Sequence, residues 1–241
     1  MGDPVRYTPI FCFHSVVENV APGDGFGYPA AGFERLLDWF SRREYRTMTL
    51  DEYSASPRFS PKRVIFTFDD GYSNFNTVVS PLLEKHGFGA TLYTYPGFHV
   101  GDERSSGAAG GPHALFTKEE FVEAASRPGV EVGAHGLSHE NFTELDAEEL
   151  DAELAESKKI LEDLTGREIR TVAYPRGRFN SRCVKAVVKA GYSTAVSGDS
   201  SDGSLFSIPR IAPPLPFSEG KTLFKASGLS PFARKIRTKN T

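Results

Sequence analysis

Cysteine is scarce in this sequence: two in 241 residues, beside one tryptophan and two methionines. Cys12 and Cys183 make no zinc-binding spacing, and they read as buried free thiols rather than a disulfide. Long apolar runs are missing too. Nothing approaches the roughly 18 uninterrupted apolar residues of a membrane span. Charge of one sign is not in excess, since 28 basic and 31 acidic residues leave a net −3, which argues against a general nucleic-acid binder. The opening Met1-Gly2-Asp3-Pro4 lacks the basic-then-apolar pattern of an export leader. The expected location is cytoplasmic as the chain stands, and secreted or periplasmic if a leader has been removed. The sequence carries no signal for oligomeric state.

What is present is an alternation of two patterns. Short β-branched and aromatic runs predict strands at Pro9–His14, Val64–Phe68, Ala90–Tyr95, Val130–Ala134, Thr171–Tyr174, Thr194–Val196 and Phe206–Ile211. Helical spacing predicts helices over Phe33–Glu44, Phe75–His86, Lys118–Ser126, Ala147–Leu164 and Ser181–Ala190. The fourth helix has the clearest ends, with Asp146 and Glu149 forming a capping box and Gly166 following its last turn. Alternating strands and helices imply a mostly parallel sheet with right-handed crossovers, either closed as a (β/α) barrel or open and doubly wound. Ala21–Ala31 and Gly101–Pro112 read as loops. One domain is expected over residues 1–220. A basic tail over 221–241, in which Lys221, Lys225, Arg234, Lys235, Arg237 and Lys239 meet no acid, is expected to be solvated.

Polar chemistry collects at the strand ends. Phe66-Thr67-Phe68-Asp69-Asp70-Gly71 runs an apolar strand into two adjacent carboxylates. Asp-Gly is a common turn, but two neighbouring acids repel unless a cation or proton relieves them. One could bind a metal while the other faces substrate. His135 and His139 stand four apart, so a helical turn would bring both to one ion. Asp70 with these two imidazoles gives one oxygen and two nitrogen ligands, leaving a position for water as in catalytic zinc sites. Tyr174-Pro175-Arg176-Gly177 and Phe13-His14 end two further predicted strands. In barrels and open α/β sheets alike, that edge is where sites form. Phe26, Tyr28, Tyr95, Phe98 and Phe179 are candidate sugar-stacking surfaces.

These motifs resemble the polysaccharide deacetylase (NodB-homology) family, carbohydrate esterase family 4. Thr67-Phe68-Asp69-Asp70-Gly71 is similar to its first motif, His135-Gly136-Leu137-Ser138-His139 to its second and Tyr174-Pro175-Arg176-Gly177 to its third. The resemblance extends from about Pro9 to Ile211. It implies an α/β fold, a distorted (β/α) barrel of seven to eight strands. It also implies one divalent metal ion, usually Zn2+, bound by Asp70, His135 and His139, with Asp69 as general base and the Arg176 backbone N–H as oxyanion donor. No histidine follows His139, so the C-terminal Leu-x-His acid of most members is missing. The layout resembles instead the circularly permuted branch that includes biofilm poly-N-acetylglucosamine deacetylases. There a Tyr-His motif opens the domain, and Phe13-His14-Ser15-Val16 matches it, which assigns the acid to His14.

The activity implied is removal of N-acetyl groups from an N-acetylated glycan, with an O-acetyl ester or a catalytically weak carbohydrate-binding relative as alternatives. Phosphate-ester hydrolysis is a further reading, but it would call for two ions and more ligands. Two residues depart from the family pattern. Gly136 replaces the usual Ser/Thr, and Ala173 stands where many members carry the arginine that orients the base. Arg176 or Arg210 is the candidate substitute.

Overall fold

The computed structural model describes residues 8–55, 60–96 and 113–228. Its centre is the apolar strand β5 (Arg63–Phe68), which pairs in parallel with β1 (Ile10–Phe13), Phe13 opposite Phe68. The parallel order continues through β6 (Ala90–Thr94), β7 (Val130–Ala134), β8 (Thr171–Ala173) and β9 (Thr194–Val196). A short β4 (Arg46–Thr47) joins the start of β5, and β2 (Ser15–Val17) pairs with β3 (Gly27–Pro29) as a separate ribbon. β3 occupies part of the stretch expected as a loop at Ala21–Ala31.

Residues 206–211 close the ring without forming the expected strand. Val196 bridges Ile208, and Phe11 bridges Ile211; the Ile211 N–H donates to the Ile10 carbonyl at 2.8 Å and the Cys12 N–H to the Ile211 carbonyl at 3.0 Å. Pro209 lies between these bridges and has no N–H to offer a ladder. The result is the distorted (β/α) barrel, with an irregular seam between β9 and β1.

Helices α1 (Ala30–Arg42), α3 (Ser80–His86), α4 (Lys118–Ser126), α5 (Ala147–Thr165) and α6 (Ser181–Lys189) pack outside the strands, and α2 (Leu50–Ala55) puts Leu50 and Tyr53 among the barrel-interior residues. The helix expected from Phe75 begins as one π-helical turn, Phe75–Val79, before α3. The predicted cap of α5 is observed, with the Asp146 carboxylate accepting from the Glu148 and Glu149 N–H groups, and Gly166 ends the helix at φ +65°. On α1, Phe33, Leu36, Leu37 and Phe40 are fully buried, each worth about 1.5–3 kcal/mol. Part of the stretch expected as a tail is helical. Helix α7 (Glu219–Ala226) buries Thr222 and Ala226, whereas 229–241 lies outside the described residues, as do Gly101–Pro112 and Met1–Pro4.

Strand periodicity sorts side chains into two sets. Phe11, Phe13, Val64, Phe66, Phe68, Val130 and Val132 belong to the layer between sheet and helices. Ile10, Ile65, Tyr93, Ala173, Val196 and Ile208 fill the barrel interior. Continuing the inward phase one step past each strand end reaches His14, Asp69 and His135.

Candidate active site

Asp69 and Asp70 follow β5 and diverge because the backbone turns between them. Asp70 has φ +72° and Gly71 φ +82°. A Cβ on Gly71 would come within 2.5 Å of the Thr94 hydroxyl, so this turn requires glycine. His139, at φ +64°, and Arg176, at φ +59°, are also left-handed. Each such non-glycine residue costs on the order of 1–3 kcal/mol and persists where its surroundings impose it.

The two acids have different partners. Asp69 is buried and gripped by Arg210, whose Nη1 and Nη2 donate to Oδ1 and Oδ2 at 2.6 Å each. Arg210 reaches it from the seam inside the barrel, donating also to the Ser197 carbonyl and the Thr67 hydroxyl. Of the two candidates, Arg210 therefore replaces the arginine missing at Ala173; Arg176 is exposed. Burial pushes the Asp69 carboxyl up, but the Arg210 guanidinium and His135 outweigh it and hold it below the ordinary carboxylate range.

Asp70 turns its Oδ1 toward two imidazoles, 3.4 Å from His135 Nε2 and 3.3 Å from His139 Nε2. Those separations carry no well-formed hydrogen bond, and this buried oxygen has no hydrogen-bond partner. His135 Nδ1 lies 2.8 Å from the Ala173 carbonyl, which fixes Nδ1 as the protonated nitrogen and leaves Nε2 free to ligate. An orphaned buried carboxylate oxygen facing two imidazole nitrogens fits a divalent cation, and the three ligand atoms lie within 4.8 Å of one another. Burial again raises the Asp70 pKa, and the adjacent His135 and His139 more than reverse this, leaving it well below the ordinary value.

The histidine pair departs from expectation in one respect. No helix begins after His135; the next, α5, starts at Ala147. A loop brings the imidazoles together, their ring centroids 4.9 Å apart, using left-handed turns at Gly136 and His139. The loop is held from α5 by Glu153, which accepts from the Leu137 and Ser138 N–H groups at 2.6 and 3.1 Å and from the Ser138 hydroxyl. A Cβ at Gly136 would stand 2.9 Å from the Glu153 Oε2. Glycine at this motif position and the Glu153 anchor therefore go together.

His14 follows β1 on the inward phase, half-buried beside Asp69. Cys12, expected in the core, is only half-buried and directs its thiol to Asp69 Oδ2 at 3.6 Å, while Cys183 is buried as expected. Of the aromatic candidates, Phe26 is 56% exposed with its ring 5.7 Å from that of His14. Tyr28 is buried against Phe13, Phe179 stacks on Tyr174, and Tyr95 packs on His139. Phe98 lies outside the described residues. Sequence reasoning missed Cys12 and Glu153, although each carried a signal. Cys12 shares the strand phase of His14, and Glu153 is a charge on the apolar face of α5 between Leu150 and Leu154.

Comparison with known proteins agrees with this geometry. The polysaccharide deacetylase family model matches residues 56–195. YxkH of Bacillus subtilis, a presumed polysaccharide deacetylase, is 29% identical over 211 residues, covering 84% of this chain and 70% of its own. The Streptococcus pyogenes deacetylase PplD, solved with acetate, superposes with a TM-score of 0.78 at 22% identity over 93% of this chain and 99% of its own. IcaB from Ammonifex degensii gives 0.73 at 18% identity over 92% and 97%. Fold, strand-end motifs and family match coincide: the chain belongs to the polysaccharide deacetylase family.

Proposed function

We propose that this chain hydrolyses N-acetyl groups from an N-acetylated amino sugar in a polysaccharide or glycoconjugate, using one divalent cation, Zn2+ first among the candidates. The observation that carries this reading is the unpartnered Asp70 Oδ1 between two imidazole nitrogens, beside a second carboxylate held ionised by Arg210. Asp70, His135 and His139 would hold the cation. When bound, it supplies Lewis-acid polarisation and lowers the pKa of an attached water.

Asp69 takes the proton of the attacking water as general base. Its carboxylate is oriented by Arg210 and lies 4.0 Å, through Oδ2, from His135 Nε2. The Arg176 backbone N–H, in its left-handed turn after β8, is assigned to the developing oxyanion, where one donor is worth roughly 3 kcal/mol. His14 is assigned to hand a proton to the departing nitrogen as general acid. Phe26 offers a face for a sugar ring next to His14. The Arg210 pairing and the Glu153 anchor support an active enzyme over a weak binding relative, since they answer the two departures at Ala173 and Gly136.

Acetate release from acetylated chito-oligosaccharides, with and without chelator, tests the proposal. Release that chelator abolishes and added cation restores is expected. Sugar binding without acetate under any divalent cation would make the chain a carbohydrate-binding relative. Cleavage confined to O-acetyl esters would make it an esterase.

A further inference from the structure

We propose that Cys12, His14 and Asp69 form a second cation site, separate from Asp70, His135 and His139 and selective for thiophilic divalent ions such as Cd2+ or excess Zn2+. Backbone register builds it. The Asp69 N–H donates to the Phe13 carbonyl at 2.9 Å, and Cys12 and His14, flanking Phe13, project together into the barrel mouth beside Asp69. A thiol sulfur, an imidazole nitrogen and a carboxylate oxygen thereby lie within 4.8 Å of one another.

The dimensions suit a small ion. Zinc bonds of about 2.0–2.3 Å in tetrahedral geometry hold ligands about 3.3–3.6 Å apart. The Cys12 Sγ to Asp69 Oδ2 edge is already 3.6 Å, so only the half-exposed His14 ring must swing inward, by no more than about 1.5 Å. The cation takes the place of the thiol proton now directed at Oδ2. That proton leaves to water as the sulfur–cation bond forms, and water completes the coordination.

Arg210 sets the selectivity. Its guanidinium engages both Asp69 oxygens and repels any cation nearby, so the thiolate must supply the binding. Mg2+ and Ca2+, which need several oxygen ligands and gain little from sulfur, are excluded. Occupancy would engage Asp69 and His14 at once, making a thiophilic ion in excess an inhibitor. That consequence rests on the base and acid roles proposed above; the binding itself does not.

Two measurements on the full chain, its primary site loaded, test the site. Cd2+ should slow alkylation of Cys12, followed by mass spectrometry, about tenfold once free Cd2+ is about ten times its Kd; Mg2+ should leave the rate unchanged. Cd2+ should also produce a thiolate-to-cadmium ultraviolet band in the native protein and in Cys183→Ala. Cys12→Ser should abolish the band and reduce total bound divalent cations from two to one. Unchanged alkylation under saturating Cd2+, or a band and two-ion stoichiometry that survive Cys12→Ser, overturns the proposal. Should Cys12→Ser fail to fold, the alkylation result on native protein decides it.

Discussion

Neighbours in sequence, Asp69 and Asp70 occupy unlike surroundings, and the roles proposed for them rest on that difference. Asp70 faces two imidazole nitrogens, whereas Asp69 is tied to a guanidinium. Asp69→Asn should therefore retain the cation while losing about 10²–10⁴ in turnover, and His135→Ala should lose both. Metal analysis beside acetate release checks this; equal cation loss in the two variants would refute the division of roles. Arg210→Ala leaves a buried carboxylate unpaired, which should cost about 3–5 kcal/mol in urea unfolding. The pH dependence has a definite sign. Because pairing lowers the Asp69 pKa in the folded state, its stabilisation is fully present above the ordinary carboxylate range and is lost as pH falls through the lowered value. The stability gap between native and Arg210→Ala protein, measured without cation, should accordingly narrow in acid.

At the scale of elements, the His135–His139 motif is a loop pinned from behind. Glu153 collects two backbone N–H groups and a hydroxyl from Leu137 and Ser138, fixing the path between the two imidazoles. Glu153→Ala should weaken cation affinity about 10–100-fold, the usual effect of removing a group that orients ligands. Calorimetric titration of the cation measures it; unchanged affinity would reduce Glu153 to a helix-packing role. Gly136→Ala forces a Cβ against Glu153 at φ +79° and should destabilise the fold by about 1 kcal/mol or more. The ends of α5, Asp146 and Gly166, are legible in the sequence, because capping needs only neighbouring residues. The 135–139 loop departs from the helical turn that its spacing predicts, because its shape depends on a carboxylate from α5.

Across the whole molecule, the site depends on closure of the ring. Asp70 follows β5, His135 and His139 follow β7, His14 follows β1 and Arg210 lies in the seam, so a cation held by Asp70, His135 and His139 would tie the ends of β5 and β7 together. Saturation at about 100 times Kd should stabilise the protein by about 2.7 kcal/mol. Chelation should lower the Tm of the native protein and leave that of His135→Ala unchanged; an equal shift in both would place the cation elsewhere. The seam also explains why 206–211 pairs only through bridges. Pro209 interrupts the ladder, while Arg210 must turn inward to reach Asp69.

Composition, strand and helix periodicity, and the polar residues at four strand ends determined the α/β class and the identity of the three candidate ligands, since each is a local property of the chain. Tertiary structure alone decided which arginine meets Asp69, how Gly136 and Glu153 share a loop, and that the Cys12 thiol lies at the mouth. Those pairings span 141, 17 and 57 positions, and residues so far apart become neighbours only when the barrel closes.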